Sequence, residues 1–121
     1  MHELGIALEI VDLAAQRAGG AEILRIVVEV GALTMVLPDA LAFAWEVATE
    51  DSPVAGAKLE IVTIAGRGKC RLCGTEQELS APFGRCVCGT MDLELVAGEE
   101  LRIRELEVNH VRDLRVLGDR R

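Results

Sequence analysis

The sequence predicts an α+β fold: a small mixed three-stranded sheet with two helices on one face, and a cysteine-bearing lobe inserted before the last strand. Three observations predict it. Two segments repeat apolar residues at helical spacing, three segments are extended and rich in β-branched residues, and the four cysteines gather within residues 70–88. A chain of 121 residues suits one compact unit with a small appended lobe.

Leu4, Leu8, Val11, Ala15 and Ala18 recur at helical spacing, and Gly19-Gly20 is a natural stop. Residues 23–30 read as a strand, with Leu24, Ile26, Val28 and Val30 on its apolar face and Gly31 at its end. Pro38 and Asp39 open a second helix, whose Leu37, Leu41, Trp45 and Ala48 are expected to face the core, and Ser52-Pro53 closes it. Lys58–Ala65 is the second strand, with Gly66 and Gly68 marking its exit. Leu101–Val108 is the third, and its apolar phase slips between Ile103 and Leu106, which a β-bulge near Arg104 explains. The expected division is a carrier domain of residues 1–65 with 101–109, a cysteine lobe of residues 66–100, and a flexible Arg-rich tail of residues 110–121.

Composition narrows the function. Half of the residues are apolar, which is globular composition and not disorder. No apolar run approaches the ~20 residues of a membrane span. The start has no basic segment leading into an apolar one, so it does not read as a signal peptide, and a cytoplasmic location is expected. The net charge is -7, and Phe43, Trp45 and Phe83 are the only aromatics. An acidic, aromatic-poor chain lacks both the cations that bind phosphate and the platforms that stack bases, so neither nucleic acid nor membrane is an expected partner. The charge is uneven: residues 1–65 hold ten acidic and three basic side chains, and residues 66–121 hold ten of each.

The cysteines form two close pairs, Cys70-Arg71-Leu72-Cys73 and Cys86-Val87-Cys88, each followed by glycine. Two such pairs supply four thiolates for a tetrahedral zinc, and the glycines permit turns that aim backbone N–H groups at sulfur. A lobe of this size is too short to fold on apolar contacts alone, so a metal supplies the missing stability. Four sulfurs leave no open position for water, so the zinc is read as structural. The alternatives are a disulfide pair, free thiols, or thiol–disulfide exchange at Cys70 and Cys73; the last normally opens a helix, of which Gly74-Thr75-Glu76-Gln77 gives little sign. A zinc ribbon usually has two residues inside each pair, and the second pair here has only Val87. A fourth ligand from His110 or from a second chain is the other way to complete the site.

His2 stands beside the α-amine of Met1. An amine, backbone amide nitrogens and an imidazole can make the planar nitrogen set that Ni(II) or Cu(II) prefers. No nucleophile–base pair converges anywhere, and His2 and His110 are the only histidines, so the chain is not expected to be an enzyme.

Met1-His2-Glu3 leading into an amphipathic helix, two cysteine pairs two-thirds along the chain, the Val28-Glu29-Val30-Gly31 and Ala57-Lys58-Leu59-Glu60-Ile61 strands, and a terminal Leu101–Val108 strand together resemble the HypA/HybF family. These are nickel metallochaperones of [NiFe]-hydrogenase maturation, used for urease in some bacteria. The resemblance runs from Met1 to about Val108, and its one clear departure is the shortened Cys86–Cys88 pair. It implies a nickel site at Met1, His2 and Glu3, in which the Met1 amine, the His2 and Glu3 amide nitrogens and the His2 imidazole are ligands and the Glu3 side chain assists. It further implies structural zinc at Cys70, Cys73, Cys86 and Cys88, a HypB-type GTPase partner, and delivery to the hydrogenase large subunit by a monomer or homodimer. The competing reading is a zinc-ribbon protein-interaction module with no nickel role.

Overall fold

In the computed structural model residues 3–109 are described; Met1, His2, His110 and the expected tail of residues 110–121 lie outside the described residues. The elements run α1 (Glu3–Ala18), β1 (Glu22–Gly31), a short 3-10 turn (Ala32–Thr34), α2 (Pro38–Thr49), β2 (Lys58–Ile64), β3 (Gly66–Cys70), β4 (Glu76–Leu79), β5 (Leu93–Ala97) and β6 (Leu101–Asn109). The fold is α+β, as expected: two helices with small three-stranded sheets, ordered β2-β1-β6 and β4-β3-β5.

The chain divides into two compact units. The first takes the segments through Val28, Leu37–Ile61, and from Ile103 onward. The second takes Glu29–Val36 and Val62–Arg102, so it contains residues 66–100 together with the end of β1 and the 3-10 turn after it.

In the first unit α1 packs against α2. Ile6, Ala7, Ile10, Val11 and Ala14 are buried, whereas Leu4 and Leu8 are exposed. The buried stripe is thus rotated from the expected one. Ala7 and Ala14 are fully buried, and their small side chains let a packed neighbour approach the helix closely. Gly19 and Gly20 close α1 at positive φ, where a Cβ is disfavoured. On α2, Pro38 sits at the helix start and Leu41 and Trp45 are buried as expected. The Trp45 indole N–H donates to the Ala57 carbonyl over 3.4 Å, fixing the turn after the helix. Leu37 precedes the helix and is exposed, and Ala48 is only half-buried. In β1 the expected alternation fails. Ile23 is buried and Leu24 is exposed, and from Ile26 to Gly31 every residue is buried. A strand with a partner on each side is the most enclosed of its sheet, which favours continuous burial over alternation. The phase slip in β6 is present: Ile103 is buried, then Leu106 and Val108 are half-buried with exposed Glu105 and Glu107 around them.

In the second unit β3 is the central strand, antiparallel to both neighbours, with Gly66 opposite Leu79, Lys69 opposite Glu76, and Cys70 opposite Leu93. Gly66 and Gly68 were expected to end a strand; instead they lie inside one. Their lack of a side chain has a packing cause: a Cβ on Gly66 would lie 2.8 Å from the Leu33 side chain, and one on Gly68 would lie 2.8 Å from Leu79. Leu33, carried in by the 3-10 turn, nests over Gly66 and Gly98 and is held by its own N–H donating to the Gly98 carbonyl at 2.8 Å. The two buried aliphatic side chains Leu33 and Leu79 therefore fill space that the glycines leave open.

Candidate metal centre

The site is built at one end of β3. Strand β3 delivers Cys70, and the chain then turns through Arg71–Gly74 before β4 begins. The Leu72 and Cys73 N–H groups both donate to Cys70 Sγ at 3.3 Å. The second pair lies in the connection between β4 and β5 and is held by an equivalent turn. In the first turn the Cys70 N–H donates to the Thr75 carbonyl at 2.9 Å, and the Gly74 N–H donates to the Cys70 carbonyl at 2.9 Å. In the second the Cys86 N–H donates to the Thr90 carbonyl at 2.8 Å, and the Gly89 N–H donates to the Cys86 carbonyl at 2.9 Å. Removing one residue shifts each bond one position closer along the chain and keeps both. Gly74 and Gly89 make this possible, with φ of 82° and 101°. The Cys-x-Cys pair thus closes the same loop as Cys-x-x-Cys with a tighter turn.

The four sulfurs lie within 4.8 Å of one another. Cys73 Sγ is 3.5 Å from Cys86 Sγ, and Cys70 Sγ is 3.7 Å from Cys88 Sγ. A regular tetrahedron with Zn–S bonds of about 2.3 Å has sulfur–sulfur edges of about 3.8 Å. The observed spacing is that of a four-thiolate metal site. All four cysteines are free thiols, with Cys70 and Cys86 buried and Cys73 and Cys88 exposed.

The local field already favours thiolate at one pair. The Cys73 amide, helped by that of Leu72, lowers the Cys70 thiol from its usual range. The Thr75 hydroxyl, 3.2 Å from Cys73 Sγ, and then the Thr75 backbone lower Cys73 to about 6. Cys86 behaves oppositely: the Cys88 amide pulls it down, but burial and the neighbouring sulfurs together push it up to about 12. Four thiols this close cannot all ionise without a cation among them. A divalent ion held by the four cysteines would remove that conflict.

Of the expected nickel-site residues only Glu3 is described. It opens α1, and its Oε2 accepts a hydrogen bond from the Leu37 N–H at 3.4 Å, just ahead of α2. Leu37 lacks a side-chain cap for that helix, so the Glu3 carboxylate serves the role that a capping-box glutamate usually takes from within the same helix.

Thr75 and Thr90 were not singled out from the sequence. The signal was present as Cys73-Gly74-Thr75 and Cys88-Gly89-Thr90, a repeated Cys-Gly-Thr that marks two equivalent turns. Among the described residues no helix is long and apolar enough to cross a membrane.

A small α+β chain with a closed four-cysteine cluster has the build of a metal-binding protein. Its relatives sharpen the class. Residues 1–108 match the family model described as hydrogenase/urease nickel incorporation metallochaperone HypA. The hydrogenase maturation factor HypA of Nostoc punctiforme is 43% identical over 111 residues, spanning 92% of this chain and 98% of that protein. That of Geobacter metallireducens is 41% identical, spanning 89% and 99%. The solution structure of the Ni metallochaperone HypA from Helicobacter pylori superposes with a TM-score of 0.67 at 27% identity, covering 89% of this chain and 97% of that one. The chain belongs to the HypA family of nickel metallochaperones, which act in hydrogenase maturation.

Proposed function

We propose that this protein binds Ni(II) through the Met1 amine, the His2 and Glu3 amide nitrogens and the His2 imidazole, and hands it to the large subunit of a [NiFe]-hydrogenase with the help of a HypB-type GTPase in the cytoplasm. Cys70, Cys73, Cys86 and Cys88 hold a structural zinc in this reading. The observation that carries it is the closed four-sulfur geometry. A centre with all four tetrahedral positions filled by thiolate has no place for exchange, so cargo has to bind elsewhere. A cargo site needs ligands that can let go. An amine and an imidazole do so, because both must lose protons to bind and both regain them easily. The Glu3 carboxylate, engaged by the Leu37 N–H, holds the start of α1 and leaves the backbone nitrogens to the metal.

The test is competitive nickel titration of the untagged protein with its zinc in place. His2→Ala is expected to abolish nickel binding at neutral pH and leave one zinc per chain. A residue added before Met1 is expected to weaken nickel binding by displacing the amine. Unchanged nickel affinity in His2→Ala would falsify the N-terminal site and favour the reading as an interaction module alone. The wild-type affinity is expected to fall as pH drops below about 6.5, where the imidazole takes a proton.

A further inference from the structure

The outer face of α2 carries a feature that neither metal site uses. Phe43 is 69% exposed and Val47 is 48% exposed, one helical turn apart, with half-buried Ala40 continuing the ridge. Leu37, just before the helix, is 64% exposed. Phe43 is one of only two phenylalanines in the chain, and it stands in water while Trp45 on the same helix is buried. Beside this ridge runs a second one of exposed Asp39, Glu46 and Glu50. Helix α2 contains no Lys or Arg. The ion pairs among the described residues engage other carboxylates, so none of these three is paired with a described cation.

We infer that this face of α2 docks a cationic amphipathic helix of a partner protein. The apolar ridge at spacing i, i+4 is what a second helix packs into, and the parallel acidic ridge receives Lys or Arg from the flank of that helix. The charges also decide against other occupants. A second copy of this chain related by a two-fold axis would set acid against acid, and an anionic lipid or nucleic-acid surface would be repelled. The inference is independent of the nickel reading, since it needs only α2 and its surface.

The test uses the full-length, zinc-loaded protein and two fluorescently labelled helical peptides, one with leucine on one face and lysine on the other, and a counterpart with glutamate in place of lysine. The lysine peptide is expected to bind and the glutamate peptide is not. Phe43→Ser with Val47→Ser is expected to weaken binding roughly tenfold or more, the effect of losing a central apolar anchor. Glu46→Gln with Glu50→Gln is expected to flatten the dependence on salt and leave the apolar contribution in place. Trp45 fluorescence and far-UV circular dichroism report whether each variant is folded, and Phe43→Lys alone, expected to repel the lysine peptide, serves if the double serine variant is not. Binding that is indifferent to the substitutions at Phe43 and Val47, or equal affinity for the two peptides, overturns the inference. So does a dimer in native mass measurements that Phe43→Lys dissolves, since that assigns the face to a second copy.

Discussion

The two units of this chain are held together by different physics. The first buries Ile6, Ile10, Val11, Ile26, Val28, Leu41, Trp45, Val54 and Ile103 among others, and is an ordinary apolar core. The second buries few aliphatic side chains: Val30, Leu33, Val36 and Leu79, together with Cys70 and Cys86. Burial of apolar surface contributes roughly 25 cal/mol per Å², so the second unit has far less of this stabilisation to set against chain entropy. What it has instead is a cluster of four sulfurs at one end and glycine-on-leucine packing at the other. The difference teaches that one chain can stabilise one unit by hydrophobic burial and leave the other to a sulfur cluster that a metal would close. Each can then be disturbed without the other.

The largest expected effect follows from removing the metal. Chelation of the purified protein is expected to abolish amide-exchange protection in β3, β4 and β5 while α1 and α2 keep theirs, as read by hydrogen exchange with mass spectrometry. Cys70→Ser is expected to do the same at neutral pH. Persistence of protection in β3 after complete zinc loss would show that glycine packing alone holds the lobe. Proton competition gives the pH arm. Cys73 has a folded-state value lowered to about 6. Its contribution is full above the ordinary thiol range near 8.5 and is lost as pH falls through 6. Cys86 is raised to about 12. In the metal-free lobe it favours the folded state below the ordinary thiol range, and that contribution disappears as pH rises toward 12.

A smaller effect is expected in the first unit. Leu41 is fully buried on α2. Leu41→Ala leaves a cavity in the apolar core and is expected to cost about 2–5 kcal/mol in urea unfolding. Zinc content is expected to stay at one per chain, because the residues that place the four sulfurs all belong to the second unit. Loss of zinc in this variant would mean that the two units fold as one cooperative body, and the contrast between them would fail.

The two regions also differed in how far they could be read from the sequence. Helix α1, helix α2 and strands β1, β2 and β6 are long and strongly patterned, so their existence was legible and only their facing was not. Leu4 and Leu8 match the helical period as well as Ile6 and Ile10 do. The choice between the two stripes depends on which face of α1 is packed, the one that buries Ala7 and Ala14, which is a tertiary fact. In the second unit the cysteine spacing announced a metal site, and yet the strands that carry it were invisible. Gly66-Arg67-Gly68-Lys69-Cys70 has no β-branched residue and two glycines, the composition of a loop. It is a central strand because Leu33 and Leu79 need the room. Local propensity yields there to packing that comes from more than thirty positions away in the sequence, by way of Leu33 and Gly66.

The smallest effect concerns an electrostatic clasp in the first unit. Arg25 of β1 meets Glu60 of β2 at 2.8 Å, and Glu105 and Glu107 of β6 at 2.8 and 3.0 Å. One cation on the central strand thus ties both neighbours, and the Glu107 and Glu105 hydrogen bonds raise its pKa further, so it stays charged at any accessible pH. These groups are partly exposed, so solvent screens most of the attraction. Arg25→Gln removes the shared cation and leaves three carboxylates side by side. The variant is expected to unfold at a lower urea concentration than wild type, with a shift well below that of Leu41→Ala. Raising the salt to about 1 M, where the Debye length is about 3 Å, is expected to erase most of the difference by screening the carboxylates from one another. A destabilisation that persists unchanged at high salt would assign Arg25 a packing role across the sheet through its aliphatic stem, and would make the first unit hydrophobic in its stabilisation on both of its faces.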